Sequence, residues 1–269
     1  MQLTDRKIGF IGTGKMGESL IRGILGAHSD ISIYASDVYE PALERLNKEL
    51  GINVSTENAN TIANSDIVVL AIKPQILKDI LAQIKDDITS DKLVISIAAG
   101  VPVAAIEDEL NSDARVIRVM PNIAATVAEA ASAICTGTNA TAEDAEVALA
   151  IFRSLGSAIQ VPEKLMDAVT GLSGSGPAYI FPVIEAMADG AVHEGLDRAS
   201  AITLAAQTVL GAAKMVLETG MHPGELKDMV TSPAGTTIRG IHTLEESGVR
   251  AAFMNAVIAS SERSKELGK

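Results

Sequence analysis

Three glycines, Gly12, Gly14 and Gly17, follow a short apolar run at residues 7–11 and lead into a stretch of helical periodicity. That spacing suits a dinucleotide pyrophosphate. Gly12 allows the tight turn, Gly14 lets the phosphates approach the backbone, and Gly17 lets the helix pack close to its strand. The helix start adds unpaired N–H groups and a partial positive charge. A glycine triplet alone also arises in ordinary turns, so the strand-loop-helix setting carries the argument.

A dinucleotide held this way lies across the C-terminal ends of the strands, which makes the residues after each strand the candidates. Ser36 and Asp37 follow the second strand. An acid at Asp37 can accept from a ribose 2′-hydroxyl and disfavours a 2′-phosphate, whereas Ser36 can donate to that phosphate; a plain turn cap fits either residue equally. Ala71, Ile72, Lys73 and Pro74 combine a small residue, a cation and a rigid turn beside the cofactor path. A lysine at a helix start is disfavoured by the dipole, which favours a ligand role over a solvated one. Ile97, Ala98 and Ala99 belong to a run of small residues that lets a nicotinamide ribose come close, or simply permits tight packing. Asn122, after Pro121, offers an amide to the substrate side, with a turn asparagine as the alternative.

Two glycine-rich loops come later. Residues 170–177 end in a proline that suits the first turn of a helix. Residues 231–237, Thr-Ser-Pro-Ala-Gly-Thr-Thr, open another helix, whose N–H groups and hydroxyls are suited to a small carboxylate or merely cap the helix. The four histidines show no metal spacing, no GxSxG turn is present, and Cys135 lies in an apolar strand without a histidine companion. A chain without nucleophilic machinery suits hydride transfer, in which a cofactor carries the reaction.

The elements that must position these residues read as β-strands alternating with helices. Strands are expected at 7–11, 31–35, 67–71, 93–96 and 116–120, with helices at 15–26, 41–50, 58–64, 75–84 and 102–110 between and around them. The run Ile-Val-Val-Leu-Ala at 67–71 is the kind a parallel strand buried on both faces requires. Strands at 132–136 and 158–161, around a helix at 142–155, close the sheet. After Pro162 only helical patterns remain, at 163–171, 177–194, 198–219, 223–230, 235–246 and 249–267. The fold class is therefore α/β, a Rossmann-type doubly wound sheet over residues 1–162 and an all-helical domain over 163–269. The alanine-rich stretch at 199–213 is apolar nearly all round, as for a helix packed on several sides, and favours pairing with a second subunit over a self-contained bundle.

Composition sets the outer limits. A chain of 269 residues buries about three quarters of its unfolded surface and needs no staples. With net charge -12 and 3% aromatic residues, neither a phosphate backbone nor a stacked single strand is an expected partner. A single cysteine makes no intrachain disulfide, and neither a signal peptide nor a bilayer span is read from the pattern, so a cytoplasmic location is expected.

The sequence resembles pyrroline-5-carboxylate reductase over nearly its whole length. Residues 226–245 are similar to the family signature around Ser-Pro-Gly-Gly-x-Thr, with Ala234 where many members have glycine. Residues 167–179 and 10–17 resemble its helical-domain and nucleotide-loop motifs. The resemblance implies NADPH as the usual reductant, NADH being possible in view of Asp37, and a helical domain interlocked with a second subunit in a homodimer or dimer-based higher oligomer. It places Ile11, Gly12, Thr13, Gly14, Lys15 and Met16 on the pyrophosphate, with Ser36 and Asn58 at the adenosine end. It sets Ala71, Ile72, Lys73 and Pro74 with Ile97, Ala98 and Ala99 on the nicotinamide side. Ser232, Gly235, Thr236 and Thr237 then hold the substrate carboxylate and ring nitrogen, Thr237 contacting the nitrogen. Two other classes compete: a β-hydroxyacid dehydrogenase, for which Lys214 is the nearest general acid but lacks its glycine-rich surroundings, and a dinucleotide-binding sensor without turnover.

Overall fold

The computed structural model describes residues 6–268. Its strands are β1 (Lys7–Ile11), β2 (Ser32–Ser36), β3 (Asn53–Ser55), β4 (Ile67–Leu70), β5 (Leu93–Ser96), β6 (Arg115–Met120), β7 (Ala130–Thr136) and β8 (Gly156–Gln160). They form one sheet in the order β3-β2-β1-β4-β5-β6-β7-β8. Neighbours are parallel except β6 and β7, which run antiparallel with Arg118 opposite Cys135. The sequence pattern placed β7 and β8 in the sheet but carried no mark of this reversal, and it missed β3, whose three residues are too few to show alternation.

Helices α1 (Lys15–Ala27), α2 (Glu40–Leu50), α3 (Asn58–Ala63), α4 (Pro74–Ile84), α5 (Val103–Glu107) and α6 (Ala142–Arg153) connect the strands. Two apolar clusters lie on the sheet's two faces. Ile67 and Val69 of β4 enter one with Phe10, Leu20 and Phe152, while Val68 and Leu70 enter the other with Leu77, Leu81 and Val116. Burial on both faces is why β4 reads as an unbroken apolar run. Between β1 and β4 the strand order reverses, and a crevice opens at their C-terminal ends.

Ion pairs tie the first helix to the next. Glu18 of α1 takes a fork of hydrogen bonds from Arg45 of α2, at 2.8 and 2.6 Å, and a third from Arg22 at 2.8 Å. The Arg45 hydrogen bonds lead in holding the Glu18 carboxyl down at about 2, against an opposing push from burial. Because the folded value lies below the unfolded one, Glu18 stabilises the fold above the ordinary glutamate range, and that contribution disappears as pH falls from about 4.5 towards 2. Glu18→Gln is expected to lower stability by about 2 kcal/mol at neutral pH. In thermal melts from pH 7 down to 2 the two proteins should converge, and a constant offset would contradict this pairing.

Beyond Pro162 the chain departs from a single helix over 163–171. A 3-10 turn (Glu163–Leu165) runs into α7 (Met166–Val169) and then a π-helical turn (Thr170–Gly174). The glycine-rich stretch is thus wound into the helix and is not a loop. Gly174 packs beside the end of β6, where a Cβ would lie 2.6 Å from Met120 Cε, the mobile tip of a flexible side chain. The helix expected at 102–110 is confined to α5, with Leu110 and the residues around it in turns.

The remaining helices are α8 (Gly176–His193), α9 (Arg198–Thr219), α10 (Pro223–Met229), α11 (Thr236–Glu246) and α12 (Val249–Leu267). By contacts the chain forms two compact units, one running to Ser175 and including the stretch from Ala259 onward, the other spanning Gly176–Ile258. The division lies later than the pattern change at Pro162, and the end of α12 belongs to the first unit. Within the second unit the buried apolar side chains are Ala188, Ala201, Ala205 and Leu226. Phe181, Leu217 and Met254 are more than 60% exposed. Helices this apolar and this poorly covered are the surface of a unit completed by another subunit. The same property makes α9 long and apolar enough to cross a membrane by length and composition.

Candidate functional site

The loop after β1 has the geometry its glycines suggest. Gly12 adopts φ +98°, and a Cβ on it would lie 2.5 Å from the Ala71 carbonyl oxygen. One on Gly17 would lie 2.4 Å from the Gly12 carbonyl oxygen, whereas one on Gly14 would meet nothing within 4 Å. Gly12 and Gly17 are therefore required by the protein itself, and the space over Gly14 is left for a ligand. Gly14 is also the N-cap of α1 and offers no side chain to its first turn, so those N–H groups face that space. This fits a pyrophosphate.

Thr13 is buried, and its N–H and hydroxyl both donate to Asp37 Oδ2, at 2.7 and 2.9 Å. Asp37 Oδ1 accepts from the Tyr39 N–H at 3.1 Å. With three protein donors on its carboxylate, Asp37 ties the glycine loop to the end of β2, a positioning role that leaves about one acceptor position on the carboxylate. Ser36 is fully buried and donates to Asn58 Oδ1 at 2.7 Å. The structure brings these two together as expected, but the group left facing outward is the half-buried Asn58 amide at the start of α3.

The loops after β4 and β5 lie beside this one. Ala71 N–H donates to the Ile11 carbonyl at 2.9 Å and Ile97 N–H to the Leu70 carbonyl at 3.2 Å, so residues 11–17, 71–74 and 97–99 line adjacent strand ends. Lys73 is the N-cap of α4 and Lys15 the first residue of α1; both are exposed, and neither ammonium group has a hydrogen-bond or ion-pair partner among the described residues. Ala98 is buried, its N–H held 3.3 Å from Ser96 Oγ, while Ala99 is exposed. Asn122 serves the protein instead. Its Nδ2 donates to the Ser173 carbonyl at 3.0 Å, and its Oδ1 accepts from the Ala124 and Ala131 N–H groups at 3.2 and 3.4 Å. It caps the 3-10 turn at Ile123–Val127 and fastens the π turn to the end of β6, in place of the substrate contact expected for it.

In the helical unit, residues 232–235 form a turn closed by Gly235 N–H on the Ser232 carbonyl at 3.1 Å. Gly235 is the N-cap of α11, whose first turn has no side-chain cap and no acidic residue. The hydroxyls of Ser232, Thr236 and Thr237 are exposed around it and make no hydrogen bond among the described residues. Uncapped amides and free hydroxyls together form a cradle for a carboxylate. Ala234 sits at φ +58°, the left-handed region in which glycine is unstrained, which accounts for the glycine expected at this position.

Among the described residues no three His, Cys, Asp or Glu side chains are placed to share a metal ion. Cys135 is buried in β7, and burial pushes its thiol up to about 11. Lys214 lies exposed on α9.

Residues 163–267 match a family model described as pyrroline-5-carboxylate reductase dimerisation, and residues 7–100 match one described as NADP oxidoreductase, coenzyme F420-dependent. A pyrroline-5-carboxylate reductase of Methanosarcina acetivorans is 69% identical over 99% of this chain and all of that protein. The chain belongs to the pyrroline-5-carboxylate reductase family. A reductase of this name from Coxiella burnetii has a solved structure with TM-score 0.93 at 36% identity, covering 98% of this chain and 99% of that one. The pyrroline carboxylate reductase of Plasmodium falciparum, solved with NADP bound, has TM-score 0.88 at 33% identity with both chains fully covered. The matched dimerisation region contains the poorly covered helices of the second unit.

Proposed function

We propose that this chain reduces the C=N bond of 1-pyrroline-5-carboxylate to give L-proline, the last step of proline biosynthesis. It acts as a cytoplasmic homodimer or dimer-based higher oligomer. The observation that carries the reading beyond the family is the start of α11, where three free hydroxyls surround uncapped amides with no competing acid in the first turn. A substrate with one carboxylate and one ring nitrogen needs that set of donors.

NADPH is the proposed reductant. Residues 11–17 would hold its pyrophosphate, Ser36 and Asn58 the adenosine end, and residues 71–74 with 97–99 the nicotinamide side. Bound there, the cofactor would supply hydride to the ring carbon double-bonded to nitrogen, C2 of the pyrroline and C5 of the proline product. Lys15 and Lys73 contribute unpaired positive charge along its anionic path. Ser232, Gly235 and Thr236 grip the substrate carboxylate, and Thr237 orients the ring nitrogen. A threonine hydroxyl does not ionise near neutrality, so Thr237 acts as a hydrogen-bonding group, and the nitrogen's proton arrives with an iminium substrate or through water. Fixing the ring in a near-attack geometry is worth several kcal/mol by itself.

The test follows the absorbance of reduced nicotinamide with pyrroline-5-carboxylate and with a panel of β-hydroxyacids, using NADPH and NADH in turn. Imine-dependent oxidation is expected, with NADPH preferred. Because Asp37 holds the loop, Asp37→Asn should raise KM for both cofactors by about the same factor, roughly tenfold. A switch in their ratio would return Asp37 to the ribose. NADPH binding without imine-dependent oxidation would point to a sensor.

A further inference from the structure

The loop after β5 is held at its far end and at its middle by chain from beyond residue 162. At its far end Val103 N–H donates to Glu163 Oε1 at 2.6 Å, and the same oxygen accepts from Arg118 Nη1 at 3.2 Å. Arg118 is 5% exposed and the Glu163 side chain 38% exposed, so a buried guanidinium is anchored at the protein's edge by a carboxylate that also holds the loop. Midway, Gly100 lies against the last turn of α12. A Cβ on it would be 3.7 Å from Leu267 Cβ, and one on Gly268 would be 2.6 Å from the Gly100 carbonyl oxygen. That turn is itself anchored, because the buried Ser264 donates to Asp167 Oδ1 at 2.6 Å and Ser260 and Ser175 hydroxyls meet at 2.9 Å. At the near end the loop is fixed by Ile97 on the Leu70 carbonyl.

We infer that Glu163, with Arg118, and the Ser264–Asp167 latch are positioning residues that set residues 97–102 against the nicotinamide. The inference rests on the reading that this loop lines the nicotinamide side. None of these residues touches the reacting atoms. They act by deciding where the loop backbone stands, and a displacement of an ångström is enough to lower a hydride-transfer rate substantially while the pyrophosphate grip keeps affinity. The segment matched as a dimerisation region would then also tune the chemistry of its own chain.

The test compares two double variants that both remove the ion pair and so leave no unpaired charge on the buried Arg118 position, Arg118→Met with Glu163→Leu, and Arg118→Met with Glu163→Gln. Only the second keeps an acceptor for Val103 N–H. Replacing a buried ion pair by neutral groups of similar volume is tolerated by most folds. The leucine form is expected to show kcat about tenfold below the glutamine form, with NADPH dissociation constants within about threefold of each other. The fluorescence of bound NADPH, which reports the nicotinamide surroundings without turnover, should also differ between them. Equal kcat and equal bound-state fluorescence would overturn the inference. Ser264→Ala removes one oxygen from the latch and should move both readouts in the same direction, several-fold in kcat. If the double variants do not fold, a Ser264→Ala protein with wild-type kcat and fluorescence overturns it instead. Absence of imine reduction in the wild-type protein would count against the proposed function, while the fluorescence contrast would still decide the role of the loop clamp.

Discussion

Thr237→Val is expected to lower kcat about a hundredfold while leaving NADPH affinity and thermal stability nearly unchanged. The substitution swaps a hydroxyl for a methyl of similar shape at an exposed position in the first turn of α11, where the hydroxyl makes no hydrogen bond within the protein. Surface changes of this kind stay within about 0.5 kcal/mol of stability. In the role proposed for Thr237, what is lost is a donor or acceptor to the ring nitrogen, and losing one such preorganised group costs about 3 kcal/mol of barrier. Steady-state kinetics on the imine with a parallel NADPH titration checks this. Equal loss of turnover and of cofactor affinity would remove Thr237 from its assigned role.

The parts of this site legible in the sequence were those in which one residue type is forced by the backbone. Gly12 and Gly17 are spaced by steric demands that no other residue meets, and the apolar run of β4 follows from burial on two faces. Ala234 could be flagged against the family's glycine before its left-handed φ was seen. What stayed hidden was the pairing of polar side chains across the fold. Asp37 stands where a ribose-binding acid stands, and nothing in its position tells that Thr13, far back in the chain, donates two hydrogen bonds to it. Asn122 is likewise satisfied by Ser173 and Ala131 through tertiary contacts. The π turn at residues 170–174 reads as a loop because three glycines in eight residues normally break helices, whereas here the Ser175 N–H on the Thr170 carbonyl and the Asn122 amide on the Ser173 carbonyl fasten it. The return of α12 to the first unit has no local signal, since a helix's neighbours are not written in its own periodicity.

Gly14→Ala and Gly17→Ala should separate ligand geometry from fold geometry, with the largest effect on binding expected at Gly14. A methyl on Gly14 meets no atom within 4 Å, so the substituted protein should fold with a melting temperature at or slightly above that of the wild type. The same methyl stands over the uncapped start of α1, where the pyrophosphate has to approach the amides, and NADPH affinity should fall by about a hundredfold or more. At Gly17 the methyl would lie 2.4 Å from the Gly12 carbonyl oxygen and 3.2 Å from Ala71 Cβ, both within the protein, so stability itself should fall, by about 1–3 kcal/mol, together with affinity. Calorimetric unfolding beside NADPH titration distinguishes the two patterns. A Gly14→Ala protein that keeps wild-type affinity would mean the phosphates do not pass over this loop, since the structure leaves that methyl no neighbour except the ligand.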